Sequence, residues 1–340
     1  MKIIDLEAHF YTEEYVKYLC ARTDIPRIEV GQKSNRRWMA PNFSAPLSFK
    51  LQEQLLDMGD GRIAEMDAAG VSVQVLSLSV PGCEQFEASD GTAMARDANE
   101  ELSETIKKYP DRYIGLAALA PQDPAGAAKE LERAVKKLGL KGAKINSHVR
   151  GEYLDAEKYW VIFEVADELD VPIYLHPMIP SPSILKPFAD YGFALAGPSF
   201  GFGIDTSLSA MRLIYSGVFD KFPNLKIVLG HLGEALPFWL YRIDFYWLKP
   251  WVEGDLKPKI SKKPSYYITN NFLFTSSGMH FLPAFLCTYL AVGGDIIAFA
   301  ADHPFESSKE TLDALGTLPI SDADKEKFYH GNAEKLLKIS

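Results

Sequence analysis

The chain has 340 residues, 47% of them hydrophobic and 24% charged, with a formal net charge of −9 at pH 7. That acidity excludes the basic surface that nucleic acid requires, and no apolar run reaches the roughly 18–20 residues that cross a bilayer. The length allows one large domain or two of average size. The N-terminus lacks a basic region followed by an apolar stretch and a cleavage site, so a cytoplasmic protein with no membrane partner is expected. Cys20, Cys83 and Cys287 form no CxxC and no paired framework, which suits buried thiols in a reducing compartment.

The first strand is read at 3–10, Ile-Ile-Asp-Leu-Glu-Ala-His-Phe. Residues i and i+2 of a strand share a side, so Glu7 and His9 project together at its C-terminal end. Residues 11–50 read as an irregular polar insertion carrying Pro26, Pro41 and Pro46. One helix is expected over 51–69 with Gly70 as its stop, then a strand at 71–78. A helix at 91–109, a strand at 113–119, a helix at 125–138 and a strand at 141–146 follow. Next come a helix at 155–169, the strand Val-Pro-Ile-Tyr-Leu-His-Pro at 171–177, and a Gly-, Pro- and Phe-rich loop at 178–204. A helix at 205–217 leads to a strand at 225–231 and an aromatic segment with Trp239, Tyr241, Phe245, Tyr246 and Trp247. The last two strands are placed at 272–276 and 296–302, and a helix at 322–338 closes the chain.

Eight short strands, seven of them almost continuously apolar and mostly separated by helices, are the pattern of buried parallel strands. The fold class expected is α/β, a (β/α)8 TIM-like barrel with insertions after strands 1, 5 and 6. A doubly wound sheet is the alternative, but no Gly-rich phosphate fingerprint follows any strand. No linker or composition change divides the chain, so residues 1–340 are read as a single domain.

In such a barrel the chemistry sits at the C-terminal ends of the strands. Those ends carry Glu7 and His9 (strand 1), His176 (strand 5), His231 (strand 6) and Asp302 (strand 8). Acids and imidazoles that each follow an apolar run need partners or a shared metal. Two carboxylates and two imidazoles without a thiolate suit Mn2+, Zn2+ or Fe2+ in a catalytic site with open positions. Glu234, three residues beyond His231, is close enough to orient that imidazole. His231 then reads as an acid/base or substrate contact, a fifth ligand, or a structural residue. Arg242 is either a clamp for an anionic substrate or a surface arginine paired with Asp244 or Glu234. Lys144 and Asn146 share a side of strand 4 and are given structural roles. Gly197-Pro-Ser-Phe-Gly201 matches the nucleophile-elbow string G-x-S-x-G, but it lies in a loop without the strand before it or the helix directly after it. Among the other histidines, His148 and His330 read as surface or packing residues, His303 should face away from Asp302, and His280 is placed to reach a substrate.

At these residues the chain resembles the amidohydrolase superfamily, and within it the metal-dependent aromatic-acid decarboxylases, the branch of γ-resorcylate, 2,3-dihydroxybenzoate and 5-carboxyvanillate decarboxylases. The resemblance spans nearly the whole chain. It is carried by Glu7-Ala-His-Phe10, Tyr109-Pro-Asp-Arg-Tyr-Ile-Gly115, Ala120-Pro-Gln-Asp-Pro124, Gly142-Ala-Lys-Ile-Asn-Ser-His148 and Tyr174-Leu-His-Pro177. Gly217-Val-Phe-Asp-Lys-Phe-Pro223, Gly230-His-Leu-Gly-Glu234 and Ala301-Asp-His-Pro304 complete it. Hydrolases of the superfamily usually open with His-x-His, whereas Glu-x-His is similar to the decarboxylases. The 5-carboxyvanillate pattern has Ala where this chain has His9, and the arginine that branch carries in the region of Leu47–Lys50 is absent here.

The resemblance implies Glu7, His9, His176 and Asp302 as ligands of one divalent metal ion per subunit, Mn2+ ahead of Zn2+, with no organic cofactor. It implies Asp302, His231 and Glu234 as catalytic residues and Arg242 on the substrate side, where Phe202 and His280 are also placed by their positions in the chain. The reaction implied is non-oxidative decarboxylation of an ortho-hydroxy aromatic acid, reversible at high bicarbonate, by a homodimer or homotetramer. Phe193, Phe200, Phe202, Phe238 and Trp239, in the stretches 188–202 and 238–251, suit an aromatic ring, a subunit interface or simple core packing. Metal-dependent hydrolysis of a lactone or amide, a hydratase, and a non-catalytic binding barrel are the competing readings.

Overall fold

The computed structural model describes residues 1–249 and 260–339; residues 250 and 251 of the expected aromatic stretch lie outside them. Each of the eight expected strands contains an extended segment. In chain order the strands are β1 (Ile4–Phe10), β2 (Arg27–Glu29), β3 (Asn35–Ala40), β4 (Phe43–Leu47) and β5 (Val73–Leu78). Then come β6 (Tyr113–Gly115), β7 (Ala117–Ala118), β8 (Ala143–Asn146), β9 (His148–Val149) and β10 (Glu152–Tyr153). The last are β11 (Ile173–His176), β12 (Ile227–Leu229), β13 (Phe272–Thr275) and β14 (Ile297–Ala298).

The molecule is α/β with parallel sheets. One sheet has the order β1-β5-β6, and the other β14-β13-β12-β11-β8-β7. β6 and β7 are successive pieces of one expected strand, interrupted at Leu116, whose N–H bonds Leu76 O at 2.9 Å while Ala117 N bonds Gly142 O at 2.8 Å. At the other side Leu6 N donates to Phe299 O (3.1 Å) and His9 N to His303 O (2.7 Å), tying β1 to the segment after β14. The strands of the two parallel sheets are buried almost throughout, as strands covered on both faces are. A register shift between Asp5 and Ala8 interrupts the β1–β5 ladder. There the Asp5 carboxylate takes the N–H groups of Glu7 (3.3 Å) and Ala301 (2.9 Å) in place of ladder bonds.

Helix ends follow local chemistry. Gly70, Gly139 and Gly217 stop their helices with φ of 82°, 78° and 88°, a conformation only glycine enters without strain. Asp123 caps the helix Pro124–Leu138, whose first residue is the proline that position tolerates.

Four expectations need correction. The segment 11–50 is not irregular. It holds a helix (Glu13–Ala21) and the antiparallel sheet β2-β3-β4. Its prolines concealed that sheet, yet Pro46 lies on the edge strand β4, where a missing N–H is tolerated, and Asn42 accepts the positive φ of the β3–β4 turn. The expected helix over 51–69 is two helices, Phe49–Leu56 and Asp60–Ala69, because Asp57 is extended and its carboxylate captures the Gly59 N–H at 2.7 Å. The loop 178–204 contains short helices at Pro182–Leu185 and Phe193–Ala196, and the next helix begins at Gly201, not 205. A helix therefore does follow the G-x-S-x-G string directly, but no strand precedes it, and the exposed Ser199 hydroxyl is spent on the Ala194 carbonyl. Helices Pro264–Asn271, Leu282–Val292 and Ser308–Leu315 complete the set that the sequence reading passed over.

Candidate metal centre

Glu7 and His9 leave β1 on the same side, His176 is the last residue of β11, and Asp302 lies four residues beyond β14. The backbone fixes Asp302 in place: its N–H bonds Glu7 O at 3.1 Å, and its φ of 72° turns the chain sharply there. One ligand atom from each of the four residues falls within a set in which all lie within 4.8 Å of one another. His9 Nε2 is 3.0 Å from Asp302 Oδ1, 3.2 Å from His176 Nε2 and 3.7 Å from Glu7 Oε1, and His176 Nε2 is 3.3 Å from Glu7 Oε1. Ligand atoms that each sit about 2.0–2.2 Å from one ion at near-right or tetrahedral angles are roughly 3.0–3.5 Å apart.

The donor set fits a cation. Glu7 Oε1 and Asp302 Oδ1 are buried without a hydrogen-bond partner, and two imidazole nitrogens face each other. A single proton between the imidazoles leaves both oxygens orphaned, whereas a divalent ion satisfies all four atoms. The electrostatics agree. Burial, with the nearby Lys144 cation, pushes the His176 pKa well down, leaving a neutral imidazole with a lone pair to donate. Burial opposes ionisation of Glu7, but the facing imidazoles of His176 and His9 hold its pKa well below the usual carboxylate range. Burial raises Asp302, with His9 acting against it, while His9 is raised against its own burial by Asp302 and Glu7. Two carboxylates crowded around unprotonated nitrogen want a positive charge between them.

Three of the four candidate ligands have a partner behind them. His176 Nδ1 faces Asn146 Oδ1 at 3.2 Å, His9 Nδ1 faces Ser77 Oγ at 3.3 Å, and the Tyr174 hydroxyl donates to Glu7 Oε2 and leaves Oε1 to the centre. The Tyr174 hydroxyl lies 3.0 Å from Thr275 Oγ1, Thr275 Oγ1 lies 2.8 Å from Ser277 Oγ, and Ser277 Oγ accepts the His231 N–H at 3.3 Å. A hydroxyl chain thus joins the Glu7 carboxylate to the backbone of His231. Gly230 is confined by it, since a Cβ there would lie 3.2 Å from both Tyr174 OH and Ser277 Oγ.

His231 opens a turn in which five successive residues have positive φ: His231 52°, Leu232 54°, Gly233 81°, Glu234 51° and Ala235 64°. Four of them carry a Cβ and cost about 1 kcal/mol each in that conformation. The turn folds Glu234 back so that its Oε1 meets His231 Nδ1 at 2.7 Å. Burial works against an imidazolium here, but Glu234, with Glu7 and Asp302 beyond it, raises the His231 pKa to about 10. Gly278 and Gly203 make room for the pair; a Cβ would come within 3.1 Å of His231 Cδ2 and 2.8 Å of Glu234 Oε2, respectively.

The remaining expectations fall elsewhere. Arg242 is exposed on the helix Leu236–Trp247 and stacks over the Tyr246 ring at 4.8 Å, and it pairs with neither Asp244 nor Glu234. Asp244 instead accepts from Ser265 and Lys263. Phe202 is buried with Val80, Met178 and Ile179 and meets Phe193 edge-on at 5.9 Å. His280 is exposed after β13. His303 turns away from the centre, as expected, to lie 3.6 Å from Glu65. His148 bonds Ile179 O and the Gly151 N–H within its own hairpin. The sequence reading missed Tyr174, Ser77 and Glu84, and gave Asn146 no link to His176. Tyr174 had a legible signal, two residues before His176 and so on its side of the strand.

The chain matches the family model described as Amidohydrolase over residues 4–339. It is 39% identical over 344 residues to a γ-resorcylate decarboxylase of Polaromonas sp., covering 99% of this chain and 98% of that one. It superposes with a TM-score of 0.85 on a dihydroxybenzoic acid decarboxylase from Polaromonas sp. with bound manganese and the inhibitor 2-nitroresorcinol (36% identity, 99% and 97% coverage). With the 5-carboxyvanillate decarboxylase of Sphingomonas paucimobilis the TM-score is 0.89 (34% identity, 100% and 99% coverage).

Proposed function

We propose that this chain, which belongs to the amidohydrolase family, is a metal-dependent carboxy-lyase that removes the carboxylate of an ortho-hydroxy aromatic acid of the hydroxybenzoate type. The observation that carries the reading is the meeting of Glu7, His9, His176 and Asp302 at one point, beside the His231–Glu234 pair. The relatives named for dihydroxybenzoates, one with manganese bound, supply the substrate class and put Mn2+ first among metals. The eight parallel segments are proposed to close into a (β/α)8 barrel. The bonds from Leu6 to Phe299 and from Leu116 to Leu76 support this, as they support a single domain joining both ends of the chain.

Glu7, His9, His176 and Asp302 would hold the divalent ion, which when bound would supply Lewis acidity to the oxygens of the substrate. In the reaction the bond from the ring carbon to the carboxylate breaks, its electron pair stays with the ring, and a proton takes the vacated position as CO2 leaves. The chain must therefore bring one proton to that carbon. His231 is suited to it: Glu234 occupies Nδ1 and stabilises the imidazolium, so Nε2 is the nitrogen that carries and releases a proton. Asp302, raised by burial and acting on His231 electrostatically, is its proposed partner in moving that proton. For Arg242 the assignment to substrate rests on sequence resemblance, and for Phe202 and His280 on their positions in the chain.

The test is turnover. Mn2+-loaded protein incubated with a panel of ortho-hydroxybenzoates should lose ultraviolet absorbance with stoichiometric CO2 release. Hydrolysis of lactones without any such release would replace the decarboxylase with the hydrolase reading.

Among the described residues no helix is long and apolar enough to cross a membrane; the cytoplasmic location is proposed from sequence alone. A homodimer or homotetramer is proposed from the helix Leu236–Trp247, which exposes Phe238 (69%), Trp239, Tyr241 (79%) and Tyr246 on its surface. Light scattering should return two or four times the 37.9 kDa of one chain, and a monomer at micromolar concentration would refute it.

A further inference from the structure

Two residues of opposite charge, Lys144 and Glu84, lie buried one side chain behind His176, and the proposed reaction uses neither. Lys144 on β8 is 3% exposed and Glu84, in the loop after β5, is 2% exposed. Both close on the same side chain. Lys144 Nζ donates to Asn146 Oδ1 at 3.1 Å, while Glu84 Oε1 accepts the Asn146 backbone N–H at 2.8 Å and Glu84 Oε2 accepts from Asn146 Nδ2 at 3.1 Å. Pro81 O takes the other Nδ2 hydrogen at 3.1 Å. The amide is thereby fixed in one orientation. Turned over, it would set its NH2 against an ammonium group and its oxygen against two acceptors.

The orientation matters because Asn146 Oδ1 is also the partner of His176 Nδ1 at 3.2 Å. An oxygen that only accepts requires a hydrogen on Nδ1, so the lone pair of His176 sits on Nε2, the nitrogen that faces Glu7, His9 and the centre. Burying two ions costs several kcal/mol each unless their hydrogen bonds are well satisfied, and apolar residues of like volume would pack the same space more cheaply. The surroundings are built around the clamp. Gly82, at φ 71°, sits so close that a Cβ would fall 2.0 Å from Glu84 Oε2 and 2.5 Å from Asn146 Nδ2. Burial drives the Glu84 pKa up and the Lys144 pKa down, and each opposes the shift of the other.

We infer that Glu84 and Lys144 are positioning residues for His176: acting through Asn146 from opposite ends of its amide, they lock the imidazole with Nε2 towards the metal and set the affinity of the centre for divalent cations. The inference rests on the reading of His176 as a metal ligand.

Calorimetric titration of metal-free full-length protein with Mn2+ tests it. E84Q puts an amide where a carboxylate accepted twice, so one of the two contacts to Asn146 becomes donor against donor. Mn2+ affinity is expected to fall about 10–100-fold, with kcat at saturating Mn2+ falling less. The double variant E84Q/K144M leaves no lysine stranded without its counter-charge. It should unfold at the wild-type temperature and still bind Mn2+ more weakly, which a merely structural ion pair would not do. Wild-type Mn2+ affinity in either folded variant overturns the inference. Failure of the wild-type protein itself to take up Mn2+ would remove the metal reading, and the clamp with it.

Discussion

Replacing His231 with asparagine is expected to lower kcat/KM by about 10²–10⁴-fold while Mn2+ stays bound at one ion per chain. Asparagine fits the space and can keep one hydrogen bond to Glu234, but it cannot carry a proton on the side where Nε2 stood. The strained turn from His231 to Ala235 is retained, because asparagine enters the left-handed region more readily than most residues. The loss should therefore fall on kcat with KM little changed, as for an interaction made at the chemical step. Metal analysis beside steady-state kinetics separates the outcomes. Full activity with the metal in place would take the proton away from His231, and a lost metal would make it a ligand.

Extraction of the metal is expected to abolish turnover, and Mn2+ to restore it in the wild-type chain but not in a Glu7→Ala variant. Glu7 is buried, its Oε1 lacks any other partner, and Tyr174 already occupies Oε2. Without it the centre keeps one carboxylate for a divalent charge. Metal that binds only the folded chain at 100 times its dissociation constant stabilises it by about 2.7 kcal/mol. For a domain of this size that raises the unfolding midpoint by roughly 4 °C. The measurement is a thermal scan with and without Mn2+, showing one transition in each. Acidification should erase the shift, because imidazole ligands bind metal only when neutral. An apo protein that turns over, or a midpoint indifferent to Mn2+, would refute the metal-dependent reading.

Much of this was legible in residues alone. The i, i+2 spacing of Glu7 and His9 placed both candidate ligands on one side, and the ends of three other apolar runs supplied His176, His231 and Asp302. Those positions depend on local periodicity, and a strand's C-terminal end is recognisable from the chain itself. Glu234 was legible as well, being three residues from its partner. The β2-β3-β4 sheet was not, because proline and charge in 11–50 mask an edge strand whose ladder forms with a neighbour, not with itself. The break at Asp57 was hidden for a related reason: one side-chain hydrogen bond overrode an otherwise helical pattern.

The amino-acid sequence by itself thus determined the order of the eight parallel strands, the family, and the four candidate ligands that follow them. Tertiary structure alone decided which neighbours complete them: Ser77 behind His9, Asn146 with Glu84 and Lys144 behind His176, and Tyr174 behind Glu7. It also decided that Arg242 lies on an exposed helical face, stacked on Tyr246. The physical reason is separation along the chain. A strand's side-chain alternation is set within a few residues, whereas Glu84 and Asn146 are 62 residues apart and Tyr174 and Glu7 are 167 apart. Contacts at that distance exist only once parallel strands have paired in register, and no local pattern records the partner.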